Sequence, residues 1–170
     1  MIFCLFLTVI DYNSILLLGI APASYAASST SATQTVTVTV SPTVSITAPA
    51  TITFGAVAAD GSTYTQGDTI SSTSNVAIDI YTKALAWTGG ISSPLALTDF
   101  QFQNATLTNT IFTTSYQKVI TNLAKAPKSG VITSSNNLLI TVPFGTDPAS
   151  YSTTIYDSAV STGGTAPTSP

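Results

Sequence analysis

Residues 32–42 read ATQTVTVTVSP, with Thr35, Thr37 and Thr39 alternating with Val36, Val38 and Val40. A strict period of two puts the valines on one face of a β-strand and the threonines on the other. Short alternating runs recur at 43–48, 51–57, 75–82, 97–104, 115–123, 137–144 and 150–160. In 75–82, Val76, Ile78 and Ile80 share one face and Ala77, Asp79 and Tyr81 the other, the pattern of a strand with one buried side. The 3.6-residue period of a helix is missing over helical lengths, apart from a weak patch at 120–126.

Turn chemistry separates these runs. The breaks are Ser41-Pro42, Ala48-Pro49, Ala59-Asp60-Gly61, Gln66-Gly67-Asp68, Gly89-Gly90, the stretch from Pro127 to Gly130, and the stretch from Pro143 to Pro148. The pattern predicts an all-β chain: an antiparallel β-sandwich, immunoglobulin-like or jelly-roll-like, of about 7–9 strands. Residues 43–160 form the expected sandwich and 27–42 an N-terminal extended strand. Residues 161–170, STGGTAPTSP, form a low-complexity tail. Two-layer sandwiches have open edges, so the N-terminal strand has two places to pair: its own sheet or a neighbouring subunit's.

Residues 1–26 have the outline of an export signal. Ile15–Ile20 is a short apolar run, and Ser24-Tyr25-Ala26 puts small residues where a signal peptidase needs them, which predicts cleavage before Ala27. The fit is imperfect. No Lys or Arg precedes Lys83, and Asp11 and Asn13 interrupt the apolar stretch. A translation start upstream at a non-Met codon would account for both departures. A membrane anchor is the competing reading, and Asp11 weighs against it because a mid-span carboxylate costs roughly 3 kcal/mol.

Composition narrows the function. Only 6% of the 170 residues are charged: four Lys and seven Asp, with no Arg, Glu or His. Ser, Thr, Asn and Gln solvate the surface instead, as suits an extracellular or assembled protein. The lysines, Lys83, Lys118, Lys125 and Lys128, are scattered. Nucleic-acid binding needs clustered cations and is not expected. Cys4, the single cysteine, falls in the leader, so a chain starting at Ala27 has no disulfide and no thiolate metal site.

Catalytic chemistry finds few side chains. Without His there is no Ser–His or Cys–His arrangement, and without Glu a paired-carboxylate hydrolase would need two Asp residues. Lys128-Ser129 in APKSG reads as a turn rather than a dyad. No enzyme activity, cofactor or metal is therefore expected. Asp60 and Asp68 are the nearest calcium candidates, and both read as turn residues making Asx hydrogen bonds. Trp87 reads as core rather than as a sugar-stacking platform. Asn104-Ala105-Thr106 is a glycosylation sequon, which makes Asn104 the candidate modification site. Tyr116, Tyr151 and Tyr156 fit interface contacts and core packing equally well.

The segments ITFGAV…DG (52–61), SNVAIDIY (74–81) and LLITVPFGTDPASYSTTIYDSAV (138–160) resemble those of secreted immunoglobulin-like β-sandwich surface domains of archaeal and bacterial envelopes. The layout also resembles subunits of donor-strand-linked extracellular fibres, of the archaeal thread and bundling-pilus type. The resemblance implies a secreted, pilus-like structural subunit at the cell surface. Its partners would be identical subunits in a homopolymer joined by β-strand complementation, with membrane contact only through the export signal. Val36, Val38 and Val40 would be the donor-strand interface. The alternative expectation is a monomeric adhesin or carbohydrate-binding module of the envelope, with cell-surface glycans as its partner.

Overall fold

The computed structural model describes residues 31–128 and 130–168, so the expected leader and its cleavage site, and Ser129 of the Lys128-Ser129 pair, lie outside the described residues. The chain divides into two compact units, Met1–Val38 and Thr39–Pro170. Among the described residues of the first unit, 31–38 carry no regular secondary structure.

The second unit is an all-β sandwich of eight strands. They are β1 (Ile46–Thr47), β2 (Thr63–Ser72), β3 (Ile78–Ala84), β4 (Phe100–Gln103), β5 (Asn109–Ile111), β6 (Gln117–Leu123), β7 (Ile132–Thr141) and β8 (Ile155–Ser161). One short 3-10 turn, Leu97–Asp99, leads into β4. The strands form a five-stranded sheet in the order β1-β2-β7-β4-β5 and a three-stranded sheet in the order β6-β3-β8, with every pair antiparallel. Between the sheets lie Ile70, Ile78, Ile80, Phe100, Phe102, Phe112, Leu138 and Ile140, each at most 3% exposed. Phe100 is the hub of this core. It stacks on Phe112 at 4.4 Å and takes Trp87 and Phe54 edge-on at 5.1 and 6.4 Å.

The pairing is nested. β4 pairs with β5, β3 with β6 and β2 with β7, as in a long hairpin rolled over itself. This is the jelly-roll connectivity of the two expected. A complete nest would add a fourth pair, β1 with β8. That pair is absent: β1 is two residues long and joins β2 instead, through Ile46↔Ser72 and Thr47↔Ser71.

The structure corrects the expected element map in three places. Gln66-Gly67-Asp68 is not a turn but the middle of β2, the longest strand together with β7, and Asp68 lies opposite Asn136. The inward positions of β2 are Tyr64, Gln66, Asp68, Ile70 and Ser72. Their polarity hides the alternation that would have marked a strand. Ten register pairs with β7 outweigh a glycine penalty of roughly 0.5–1 kcal/mol. Residues 51–57 form no ladder, yet Ile52 and Phe54, on alternate positions, and Val57, out of phase with them, still pack against the core. The patch at 120–126 is no helix, because Val119 and Ile120 are buried in β6.

The turn after β7 follows its sequence. Tyr151 packs against the core and its hydroxyl donates to the Asp147 carbonyl at 2.9 Å. The Asp147 carboxylate accepts from the backbone N–H groups of Ile91, Ser92 and Ser93 at 2.8, 2.6 and 2.9 Å, which pulls its pKa below the ordinary value. Gly89, at φ +117°, has to be glycine, because a Cβ there would overlap the backbone carbonyl of Ser150.

Candidate functional site

Among the described residues, one edge of β8 is left without a backbone partner. Leu85 N–H donates to Thr154 O at 3.0 Å and Thr162 N–H to Ala77 O at 2.9 Å. In an antiparallel ladder this fixes the parity: even-numbered residues of β8 turn their backbone toward β3 and odd-numbered ones away from it. The outward N–H and C=O groups of Ile155, Asp157 and Ala159 have no partner among the described residues, whereas Ser161 O accepts from Gly164 N–H. Unlike β6, whose ladder with β3 is broken by register shifts, β8 runs in unbroken register with β3 over seven residues.

Residues 32–45 likewise take part in no strand. Val36, Val38 and Val40 are 88%, 82% and 74% exposed. The chain becomes fixed at Ser41–Ser45. Asn75 donates through Nδ2 to Ser41 O at 2.9 Å and accepts at Oδ1 from Thr43 N–H at 2.7 Å, and Ser45 N–H donates to the Ser74 hydroxyl at 2.9 Å. Asn75 precedes β3, and Ile78 of β3 pairs with Ser161, so this clamp sits at the end of the sandwich where β8 finishes.

Beneath the open edge, two carboxylates face the space between the sheets. Asp157 is on the inward face of β8, level with Thr82 on β3, and Asp68 is on the inward face of β2. Asp68 is 5% exposed, and burial, followed by the charge of Asp157, raises its pKa to about 6. Burial also raises the pKa of Asp157, with a smaller opposing effect from the Thr82 hydroxyl. That hydroxyl lies near the carboxylate but outside hydrogen-bonding geometry, so Thr82 Oγ1 and Asp157 Oδ1 are both buried without a partner. No Lys pairs with either carboxylate among the described residues, since Lys118 binds Asp79 at 2.7 Å and Lys83 lies over the Tyr116 and Tyr156 rings at 4.7 and 5.3 Å.

No family model, curated protein or solved structure matches this chain.

The pH dependence follows from the raised pKa of Asp68. The folded state holds its proton more tightly than the unfolded chain, so stability falls as pH rises from about 4 to about 6 and levels off above that. In a chelating buffer the melting temperature is expected to decline across this window, with a shallower slope in Asp68→Asn. An identical slope in wild type and variant would contradict the assignment.

The other expected site residues fall as follows. Asp60 makes the Asx turn read from the sequence, accepting from Ser62 N–H at 2.9 Å. Asp68 does not, being in mid-strand. Trp87 lies half-buried, edge-on to Phe100 and with its indole N–H enclosed. Tyr116 and Tyr156 flank Lys83 on the outward face of the three-stranded sheet.

Asn104 is half-buried. Its Oδ1 accepts from Thr106 N–H, Thr106 Oγ1 and Thr108 N–H at 3.1, 2.8 and 2.9 Å, while Nδ2 donates to Val119 O at 3.2 Å. The nitrogen that a glycan would occupy thus ties the 104–108 turn to β6. Asn104→Ala is expected to cost about 1–3 kcal/mol in unglycosylated protein, because it leaves several polar groups without a partner. An unchanged urea midpoint would limit Asn104 to its sequon role. The recess beside it, about 300 Å³ and lined by Asn104, Ala105, Thr106, Ile120, Thr121 and Ser134, contains no titratable group.

Proposed function

We propose that the chain is a structural subunit of an extracellular filament or surface layer that self-assembles by β-strand complementation. Residues 33–40 of one copy add to the β8 edge of the next. The observation that carries this reading is the missing fourth pair of the nest: a regular seven-residue edge whose outward backbone groups at Ile155, Asp157 and Ala159 have no partner among the described residues. A strand-patterned segment without a ladder partner lies in the same chain. Eight extended residues span about 27 Å, enough to run the length of β8. Main-chain hydrogen bonds would supply affinity. Val36, Val38 and Val40, entering beside Ile155 and Ala159, would set the register.

Export supplies the setting for this reading: a cleaved leader frees the segment near Ala27, and the low charge reduces repulsion between subunits. Among the described residues no helix is long and apolar enough to cross a membrane. The alternative is a monomeric adhesin or carbohydrate-binding module, which an exposed cluster of aromatics around Trp87 would favour; Trp87 itself is half-buried against Phe100.

Negative-stain microscopy and sedimentation of the mature chain test the proposal. Filaments or sheets that grow with protein concentration are expected. A well-folded monomer at every concentration would transfer the reading to the binding module.

A further inference from the structure

The charges of the sandwich separate along its strands. Asp68 and Asp157 face the space between the sheets, Asp79 pairs with Lys118, and Lys83 lies over the Tyr116 and Tyr156 rings. The other described charges sit at the two ends. Where β2 begins and β7 finishes are Asp60, Asp99 and Asp147. Gly61 N–H, next to Asp60, donates to Val142 O at 2.9 Å, and Asp99 leads into Phe100, which pairs with Ile140. The Asp147 carboxylate holds the 91–93 loop at this same end. Where β2 finishes and β7 begins are Lys125 and Lys128, both exposed. Ala126, between them, donates to Ser74 O at 2.9 Å. None of these five end groups is in an ion pair among the described residues.

Exposed apolar side chains divide in the same way. Ile91 and Phe144, 98% and 79% exposed, belong to the acidic end, where the Phe144 ring lies beside Gly61. Val44 and Val131, also exposed, belong to the lysine end: each closely precedes a strand residue, Ile46 or Ile132, that pairs with Ser72.

We propose that these two ends dock on each other in successive copies of this chain. The acidic end of one copy, with Ile91 and Phe144, seats on the lysine end of the next, with Val44 and Val131. The occupant is a second copy because one sandwich carries both halves of a complementary contact at ends that cannot meet within a chain. A contact between two different patches propagates instead of closing on itself as a two-fold pair does.

The inference rests on the strand-complementation reading and gives it a direction. Val40 ends the donated segment, and the next residue, Ser41, is held by Asn75 at the lysine end. With no linker between them, the lysine end of the donor has to touch whichever end of the acceptor receives Val40. Ser161 pairs with Ile78, so β8 finishes at the lysine end and begins, at Ile155, at the acidic one. Antiparallel addition places Val40 beside Ile155 and brings opposite charges together. Parallel addition places it beside Ser161 and brings the lysines of two copies together. The division of charge therefore selects antiparallel addition and an open, head-to-tail chain.

The test is sedimentation of the mature chain at low and high salt, with folding followed by melting. Wild-type assembly is expected to weaken between about 0.05 M and about 0.5 M sodium chloride, because exposed charges are screened. Lys125→Asp with Lys128→Asp should melt like wild-type monomer and need at least about tenfold more protein to assemble. Asp60→Lys with Asp99→Lys loses one turn hydrogen bond at each site and should likewise fail to assemble alone. Mixing the two double variants should restore assembly, since each offers the other an end of opposite charge. Ile91→Ser with Phe144→Ser should weaken assembly at both salt concentrations. A lysine variant that assembles like wild type while Val38→Asp does not overturns this contact and leaves strand complementation standing. A mixture of two folded variants that stays monomeric also overturns it. Closed dimers at every concentration would assign parallel addition and overturn the head-to-tail arrangement, and a wild type that never assembles removes both readings.

Discussion

Val38→Asp is expected to abolish filament formation and leave the subunit folded. In the single chain Val38 is 82% exposed, and a substitution at such a position moves stability by no more than about 0.5 kcal/mol. In the proposed assembly the same side chain would enter the space beside Ile155 and Ala159. Burying it there would contribute about 1.5–3 kcal/mol per subunit contact. The variant replaces that gain with an unpaired carboxylate next to Asp157, so repulsion adds to desolvation. Sedimentation should show monomer at concentrations where wild type polymerises, and at dilutions where both are monomeric the melting curves should superimpose. Val38→Thr, which keeps the shape and adds one hydroxyl, should assemble weakly. If Val38→Asp melts well below wild type, Val38 already contributes to the fold of its own chain, and donation between copies loses its basis.

Asp79→Ala is expected to cost about 2–3 kcal/mol of folding stability, chiefly through backbone groups left unpaired. Asp79 is on the outward face of β3, yet it is 1% exposed. Its carboxylate accepts from Lys118 Nζ at 2.7 Å, Asn122 N–H at 2.9 Å and Gly163 N–H at 3.3 Å. Lys118 is 39% exposed, so water can take over its ammonium when Asp79 is removed, and the ion pair itself contributes little. The two N–H groups matter more. Asn122 adopts φ +55° next to the register shifts of β3 against β6, and the carboxylate holds that irregular crossing in place.

The hydrogen bond from Lys118, and after it those from the backbone, hold the Asp79 pKa below its ordinary value against the opposing effect of burial. Its contribution is therefore complete above the unfolded pKa, near pH 4, and disappears as pH falls through the lower folded value. Urea midpoints measured at pH 7 and pH 3 test both statements. Asp79→Ala should lie far below wild type at pH 7 and approach it at acid pH. A gap that stays constant across that range would mean that the charge on Asp79 plays no part.

The fold class and most of the sandwich were legible because period-two alternation is a local property. Val76, Ile78 and Ile80 mark β3 by themselves, and Pro143 with Gly145 marks the turn that follows β7. The absence of His, Arg and Glu and the alternating valine stripe at 36, 38 and 40 also needed no structure to read. β2 was not legible, because Gly67 and Asp68 carry a turn signal and only the ten pairs with β7 override it. Residues 51–57 fail in the opposite way: they alternate as a strand should, but a strand exists only where a neighbour supplies hydrogen bonds. Pairing and the facing of sheets depend on contacts between residues distant in the chain, which local pattern does not encode. The sequence by itself determined that this chain is an all-β sandwich, poor in charge, with a strand-patterned segment at its N-terminal side. The tertiary structure alone decided that, among the described residues, the nest lacks its β1–β8 pair, that Asn75 holds Ser41 and Thr43, and that Asp68 and Asp157 both face the space between the sheets.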